Sequence, residues 1–404
     1  MRLTDISIRH DANTCRLVGT VEKGRPSASV ELMYEYPLDV APLLSAAADP
    51  FVAALLIPCM SEGEPLEIVP AISPRLLASL DAIQTIVSQW WPALRRVEVL
   101  AHSVRSTAAN LSGVSASFFS GGVDSFYTCL KHVRESGSSR SARLTHLIHM
   151  DGVEALLERS ADVGPLRETI REVAERYGLK TIFGKTNMRS LFPISWSTYY
   201  HGAGLSSIGL SLSAGFSQIL IPSTHSFRHL LPWGSHPLLD PLWSTEETEI
   251  VHDGCEVTRV EKTARIAQDP FALQHLRVCL RNGAGLGNCG RCKKCIRTMI
   301  ALEAMGVLPR ATTFPRQLPN DFDKFLPVES DNDRAFAEEI LEYLAATDPD
   351  SELASAITGR IRRSKRRAAT RSYLNNSRLG VALPVMRRIH GAAVRLASIV
   401  GHIG

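Results

Sequence analysis

From about residue 111 onward, short apolar runs alternate with segments whose apolar residues recur at helical spacing. Short runs of this kind are typical of buried strands, and their alternation with helices is typical of a parallel sheet with crossover helices. Ligands bind such sheets at the carboxyl ends of the strands. The pattern therefore predicts one binding mouth, formed by the four segments that follow predicted strands: 120–125, 150–152, 184–187 and 223–228.

The first 110 residues have a different pattern, which predicts an α+β module without catalytic features. Partly alternating β-branched residues indicate three strands, at 3–9, 14–20 and 28–36. The apolar run Phe51–Pro58 is predicted to be a buried strand. Ser73 and Pro74 then supply the N-cap and first position of a helix. We interpret the Trp90–Trp91 pair that follows as core or interdomain packing rather than as a platform for stacking bases.

Residues 311–404 are predicted to form a linker, a helix and a basic helical tail. The proline-containing stretch 311–330 indicates the linker, and 335–346 has helical spacing. Residues 360–371 are densely cationic. Beyond Pro384, apolar residues recur at helical spacing with arginines between them, which predicts an amphipathic basic helix. The predicted domains are therefore 1–110, 111–310 and 311–404.

Composition places the chain among soluble globular proteins. A chain of 404 residues is too long for a single ordinary hydrophobic core. Its contents of 45% hydrophobic and 21% charged residues are typical of globular proteins. The N-terminus has no apolar segment of signal-peptide length, and the longest apolar run is shorter than a membrane span. We therefore expect a cytoplasmic location.

The formal net charge of +4 conceals an asymmetry between the body and the tail. Residues 353–404 hold eleven of the 45 basic residues and none of the 41 acidic ones, which leaves residues 1–352 at −7. Only the tail therefore suggests an anionic partner. Nucleic acid, an anionic membrane surface and the groove of a partner protein remain open, as does a solvated tail that docks on its own protein. The oligomeric state is left open.

The segment Ser120–Ser125, SGGVDS, lies between a predicted strand and a predicted helix. Gly121 and Gly122 allow a tight turn and a close approach of backbone N–H groups to a ligand, and the helix N-terminus favours an anion. The hydroxyls of Ser120 and Ser125 add donors, while Asp124 is expected to hold an accompanying cation or to orient the loop. The segment is neither a Walker loop nor a dinucleotide turn. It predicts a phosphate cradle, with an ordinary Gly-Gly turn as the alternative.

Four of the eight cysteines are clustered, and the other four are scattered singly. The cluster has the spacing C-x9-C-x2-C-x2-C and consists of Cys279, Cys289, Cys292 and Cys295. Four thiolates at short spacing suit a closed tetrahedral Zn²⁺ site, which leaves no position for water, so a structural role is expected. An iron–sulfur cluster is the main alternative. Redox chemistry of Cys292 and Cys295 alone would leave the other two without a purpose.

The SGGVDS segment resembles the signature of the PP-loop ATP pyrophosphatases. With the lysine-bearing run Arg259–Ile266 and the sequence Cys289–Arg297, CGRCKKCIR, the order of motifs resembles the 7-cyano-7-deazaguanine synthases (QueC-like enzymes). The resemblance covers roughly residues 115–300. The acidic, tyrosine-containing segment that such synthases place before the lysine helix is replaced here by Ser235-His236-Pro237 and Asp240–Trp243. The activation chemistry therefore carries over better than the deazapurine substrate.

The resemblance implies a doubly wound α/β PP-loop domain that adenylates a carboxylate or amide on a small-molecule acceptor. ATP, Mg²⁺ and a structural Zn²⁺ would be the cofactors, and ammonia would displace AMP to give an amide or a nitrile. Asp124 and Lys262 are then the catalytic candidates, and Met150 and Asp151 the candidates on the adenosine side. The pyrophosphate would bind the cradle residues: Ser120, Gly121, Gly122, Val123 and Ser125.

Two other functions remain open at this point. Sulfur transfer to a tRNA base shares the adenylation step but needs a catalytic cysteine near the mouth. Cys129 and Cys255 are the unclustered cysteines of the predicted catalytic domain. A nucleotide-binding subunit of a nucleic-acid-modification or defence complex is the third interpretation, because the tail and the N-terminal module have no role in the other two. The polar stretch 223–240 is predicted to be the loop that contacts the acceptor.

Overall fold

A computed structural model describes residues 1–24, 28–105, 112–134, 142–153, 164–279 and 287–376. Contacts divide the chain into two compact units, Met1–Leu318 and Pro319–Gly404. The first unit contains a ten-stranded sheet. In chain order its strands are β1 Arg2–His10, β2 Thr14–Lys23, β3 Ala28–Pro37, β4 Leu66–Ile68, β5 Val99–Ala101, β6 Val114–Phe118, β7 Arg143–Asp151, β8 Lys180–Thr186, β9 Gln218–Pro222 and β10 Glu249–Asp253.

Most neighbouring strands of this sheet are parallel. The spatial order is β10-β9-β6-β7-β8-β3-β2-β1-β4-β5. Five neighbouring strands, β10, β9, β6, β7 and β8, form a parallel block. Strand β3 pairs with β8 in antiparallel orientation, and β3, β2 and β1 form an antiparallel meander. The predicted α/β class is therefore confirmed. The apolar runs predicted four strands of the parallel block, β6, β7, β8 and β9, but not β10.

Helices cover both faces of the parallel block. Consecutive residues of β7 and β8 belong to different hydrophobic clusters, with Leu147 and Phe183 in one, and Ile148 and Ile182 in the other. The first unit has nine α-helices in its described part. They are α1 Asp49–Glu62, α2 Pro74–Trp90, α3 Val123–Arg134, α4 Gly164–Arg176, α5 Met188–Leu191, α6 His201–Ser211, α7 Arg259–Ala267, α8 Pro270–His275 and α9 Lys293–Ala304. Helices α1, α2 and α6 pack in the cluster of Ile148, and α3, α4, α8 and α9 in that of Leu147.

The strand predicted at Phe51–Pro58 is wrong, because these residues belong to helix α1. The run is apolar on every side and buried throughout, so it has no period that could distinguish a helix from a strand. Local signals favour the helix: Pro50 stands at its N-terminus, and Gly63 ends it with a left-handed φ of +71°.

The N-terminal module shares its sheet and its core with the parallel block. Tyr34 and Glu35 of β3 pair with Thr186 and Lys185 of β8. The predicted boundary at residue 110 thus lies inside one compact unit. The ring of Trp90 lies 4.7 Å from that of His236, and the ring of Trp91 lies 5.0 Å from that of Tyr199. The interpretation of this pair as packing is confirmed.

The second unit is helical in its described part. It contains α10 Phe322–Phe325, α11 Asp331–Thr347 and α12 Glu352–Asn376. The cationic run 360–371 lies within α12, whereas the amphipathic helix predicted beyond Pro384 lies outside the described residues. Among the helices that the structure describes, none has the length and apolar character needed to cross a membrane.

Candidate functional site

The Gly-Gly segment forms a tight turn between β6 and α3. Gly121 has a φ of +76°, a conformation that favours glycine, and its carbonyl accepts a 2.8 Å hydrogen bond from the backbone N–H of Arg277. The Ser125 hydroxyl braces the turn: it accepts a 3.3 Å bond from the Ser120 N–H and donates a 3.1 Å bond to the Gly122 carbonyl. Ser125 therefore holds the loop in shape, while Ser120, Gly121 and Gly122 form its rim.

The first two residues of α3 have opposite environments. The side chain of Val123 is buried in the hydrophobic cluster under the loop, so only its backbone faces the turn. The Asp124 carboxylate accepts hydrogen bonds from Nη1 of Arg259 at 2.7 and 2.6 Å, and lies 3.8 Å from Nζ of Lys262. Burial would raise the pKa of Asp124, but the positive charges of Arg259, Lys262 and Arg297 outweigh burial and lower that pKa. Asp124 is therefore an ionised anchor for cations.

Lys262 is held by an unusually complete set of contacts for a lysine. Its side chain is 1% exposed, and Nζ donates hydrogen bonds to the Ser223 carbonyl at 2.7 Å and to the Ser223 hydroxyl at 2.8 Å. Nζ also lies 5.7 Å from the centre of the Tyr127 ring, within cation–π range. Burial lowers the pKa of Lys262, against the attraction of Asp124. Helix α7 thus joins the carboxyl end of β9 to the Gly-Gly turn.

Helix α7 is positioned by an N-terminal capping box. The Thr258 hydroxyl accepts a hydrogen bond from the Glu261 N–H, and the Glu261 carboxylate accepts one from the Thr258 N–H. Arg259 and Lys262 are three residues apart, so they lie on the same helix face. The capping box fixes where this face begins, and both cations consequently reach Asp124.

A third cation, Arg297, also lies close enough to the Asp124 carboxylate to lower its pKa. The charges of Arg259, Lys262 and Arg297 all lower the pKa of the His225 imidazole, whose burial is the larger effect; that pKa falls to about 4, and the imidazole is neutral at pH 7. Arg297 lies in α9, directly after the cysteine cluster. Sequence reasoning identified Lys262 but missed Arg259 and Arg297. The final Arg of CGRCKKCIR was a signal that could have found Arg297.

The predicted adenosine-side residues have structural partners. Met150 is buried, and a Cβ added at Gly184 would lie 2.5 Å from its Sδ, so the two residues are closely packed between β7 and β8. The Asp151 carboxylate forms an ion pair with Arg167 and lies 3.7 Å from Nε2 of His149. The structure thus places both residues at the carboxyl end of β7, with the Asp151 carboxylate engaged by a cation.

The predicted acceptor loop contains a buried ion pair. Asp240 is fully buried and its Oδ2 lies 2.7 Å from Nδ1 of His252, while the Ser235 hydroxyl donates a 2.6 Å hydrogen bond to the same oxygen. Burial alone would lower the pKa of His252. The charge and hydrogen bond of Asp240 outweigh burial and raise that pKa to about 9. This pair ties the loop to the last strand of the parallel block, β10.

The Asp240–His252 pair predicts that stability depends on pH. The unfolded imidazole has a pKa of about 6.5, so the pair contributes fully below that pH and its contribution is lost as the pH rises through about 9. We expect the free energy of unfolding of the wild type, measured by urea denaturation, to fall over this interval. The corresponding fall in His252→Gln should be smaller by roughly 2 to 3 kcal/mol. Parallel pH profiles of the two proteins would contradict the assignment.

The four clustered cysteines come together as predicted. Their sulfur atoms all lie within 4.8 Å of one another. Three separations are 3.3 Å for Cys292–Cys295, 3.8 Å for Cys289–Cys295 and 4.0 Å for Cys279–Cys292. Tetrahedral zinc with Zn–S bonds of about 2.3 Å requires sulfur atoms about 3.8 Å apart, so the donor set fits zinc. Cys279, Cys292 and Cys295 are buried, which suits a closed structural site.

The cysteine cluster is built into the framework of the cationic site. Cys292 is the N-cap of α9, and its sulfur accepts a hydrogen bond from the Cys295 N–H. The same helix carries Arg297 and packs through Met299 and Leu302 into the hydrophobic cluster beneath the Gly-Gly turn. An ion at the cysteines would therefore fix the first turn of α9, and Arg297 is the residue that follows this turn.

A scan against models of known protein families finds no match to this chain, and neither the curated proteins nor the solved structures include a significant match.

Proposed function

We propose that this protein is an AMP-forming, ATP-dependent C–N ligase with a doubly wound PP-loop domain. The observation that carries the proposal is the concentration of Arg259, Lys262 and Arg297 around one carboxylate, Asp124, beside a glycine turn at a helix N-terminus. Three cations close to one carboxylate, together with the N–H groups at the start of a helix, suit a polyphosphate.

The glycine turn, Arg259, Lys262 and Asp124 then each have a defined task. The Gly121–Gly122 turn and the N-terminus of α3 bind the β- and γ-phosphates of ATP. Lys262 and Arg259 stabilise the charge that develops on pyrophosphate as it leaves. Asp124 positions both cations in this proposal, rather than holding a metal ion.

The reaction has two steps. An acceptor carboxylate oxygen attacks the α-phosphorus of ATP, the bond between the α-phosphorus and its bridging oxygen breaks, and pyrophosphate leaves. Ammonia then attacks the activated carbonyl carbon, the nitrogen loses a proton, and AMP leaves with the former carboxylate oxygen. Adenylation of an amide oxygen of the product would lead by elimination to a nitrile.

Mg²⁺ would enter with the phosphates of ATP and neutralise part of their charge. The protein side of such a site is weak in the described residues, because the only carboxylate at the turn, Asp124, is already held by Arg259 and Lys262. Zn²⁺ at the four cysteines would have a structural role only.

The test is a nucleotide-product assay with Mg·ATP, ammonium and an acceptor pool that includes deazaguanine carboxylate. We expect acceptor-dependent AMP and pyrophosphate, and a fall of at least 100-fold in pyrophosphate release for Lys262→Met, because its ammonium is a buried cation 3.8 Å from the Asp124 carboxylate at the turn. Lys180→Met is the matched control. Lys180 is exposed at the amino end of β8, whereas the proposed site lies at the carboxyl ends of the strands. ADP as the product, or full activity of Lys262→Met, would contradict the proposal.

Sulfur transfer after the same adenylation is the second candidate. Cys255 favours it, because this buried cysteine follows Gly254 at the carboxyl end of β10, and a Cβ at Gly254 would lie 3.4 Å from Nζ of Lys262. Cys129, by contrast, packs in the hydrophobic cluster below the turn. Analysis of the acceptor product for nitrogen or sulfur distinguishes the two reactions.

A further inference from the structure

Helix α12 has one face that is fixed to its own unit. Ile357 and Ile361 are buried, and the Ser364 hydroxyl donates a 2.9 Å hydrogen bond to the Val328 carbonyl. Arg360 pairs with Glu329 at 2.8 Å, and Arg363 pairs with Asp323 at 2.9 Å. These contacts fix the rotation of the helix about its axis. They also determine which of its remaining cations point away from the unit.

Among the arginines of α12 whose side chains the structure describes, three lie outside this set of contacts. Arg362, Arg366 and Arg367 are exposed, and within the described part of the chain no carboxylate lies at ion-pair distance from them. Arg362 and Arg366 are four residues apart, so they follow one another along the same helix face at a rise of about 6 Å. Arg367 is turned by roughly a further 100° about the helix axis, so the three side chains cover a broad exposed sector. We call Arg362, Arg366 and Arg367 the arginine face.

The composition of this segment favours phosphate as the ligand. Residues 360–371 contain six arginines and one lysine. The planar guanidinium donates two parallel hydrogen bonds to one phosphate group, whereas an ammonium acts as a point charge. A row of guanidinium groups therefore suits a polymer that repeats the phosphate at regular intervals.

The distribution of apolar side chains argues against a membrane. An interfacial helix inserts an apolar face between lipid headgroups. Ile357 and Ile361 of α12 instead point into the second unit, and the only large hydrophobic residue that is exposed in the described part of that unit is Phe325, at 36%, on α10. The described surface of α12 thus offers charge without an apolar face.

We propose that the arginine face of α12 binds the phosphate backbone of a nucleic acid. The contacts are to phosphate, so binding is independent of base sequence and strongly dependent on salt. DNA and RNA share this chemistry. This proposal does not depend on the ligase reaction, because it involves a different unit of the chain and needs no nucleotide turnover.

The experiment measures fluorescence anisotropy of a labelled 20-base-pair DNA duplex and of an RNA duplex of the same sequence, with the full chain at 50 to 200 mM salt. Each phosphate contact contributes about −0.9 to the slope of log K against log salt, so Arg362→Gln/Arg366→Gln/Arg367→Gln should make the slope less negative by about 2.7. We expect its affinity at 50 mM salt to fall at least 30-fold. The difference between the two affinities shows which duplex geometry the arginine face fits better.

The control variant carries the same loss of charge elsewhere. Arg95, Arg310 and Arg316 are exposed residues of the first unit, and their replacement by Gln should leave the slope within about 0.5 of the wild type. Replacement of the three arginines by lysine keeps the charge, so this variant should retain most of the slope of log K against log salt. It is the variant to measure if the Gln variant fails to fold. An equal loss in the control variant would overturn the proposal. So would the absence of salt-dependent binding, or tighter binding to phosphatidylserine vesicles than to either duplex.

Discussion

Replacement of Asp124 by alanine is expected to lower the free energy of unfolding by about 3 to 5 kcal/mol. The Asp124 side chain is 20% exposed, and its partners are more deeply buried, with Arg259 at 10% and Lys262 at 1%. Removing the carboxylate leaves two buried cations close together without the anion that lies between them. Their mutual repulsion and the uncompensated loss of hydration both destabilise the folded state. Urea denaturation at pH 7 measures the change.

Asp81→Ala is the matched control for this prediction. Asp81 pairs with Arg96 across an exposed surface, where the side chains are 75% and 51% accessible, so its loss should cost less than about 1 kcal/mol. Inorganic pyrophosphate should restore part of the stability of Asp124→Ala, because it supplies negative charge to the same cations. Wild-type stability in Asp124→Ala would remove the anchor role, and a lack of stabilisation by pyrophosphate in both proteins would count against an anion site.

Replacement of Cys292 by serine is expected to remove the metal and to lower stability by more than about 4 kcal/mol. Cys292 is both a ligand and the N-cap of α9. Serine is itself a favourable N-cap, so the expected loss of stability comes from release of the ion. Metal content by mass spectrometry should fall from about one zinc per chain to less than a tenth. A chelator should lower the melting temperature of the wild type and leave that of Cys292→Ser nearly unchanged.

Cys129→Ala separates the metal from general packing. Cys129 is buried in the same hydrophobic cluster but is not a ligand, so this variant should keep its zinc and lose only about 1 to 2 kcal/mol. An absorbance band near 400 nm with stoichiometric iron would instead identify an iron–sulfur cluster. Full metal content in Cys292→Ser would exclude the four-sulfur site.

Local patterns in the sequence were sufficient for β6, β7, β8 and β9 of the parallel block and for the cysteine cluster. Each of these four strands has a short apolar run, whereas β10, EIVHD, has only two consecutive apolar residues and was not predicted. The four sulfurs are gathered by a short spacing and by one helix N-terminus. The same signals misled at α1, where an all-round apolar segment gives no period. Burial at every position, rather than on one face, is what removed the information.

Features that depend on distant pairings could not be predicted from such patterns. Arg259 meets Asp124 across 135 residues of chain. Nothing in the local sequence of either residue specifies the other, and an arginine at a helix start is usually solvated. The pairing of β3 with β8 likewise depends on which edge of the parallel block remains open. The prediction of a separate N-terminal module was therefore based on the local pattern of its own residues, which carries no information on the pairing of β3 with β8.

The same distant pairing has a consequence for synthesis of the chain. The hydroxyls of Tyr34 and Tyr36 on β3 are hydrogen-bonded to Ser207 and Ser211 of α6, which follow 173 and 175 residues later. A ribosome adds about 5 to 20 residues per second, so the nascent meander waits roughly 10 to 35 s for the helix that covers its apolar face. During that interval the growing chain presents an open sheet edge. Chaperones that bind nascent chains are therefore expected to hold this segment until residue 211 has left the exit tunnel.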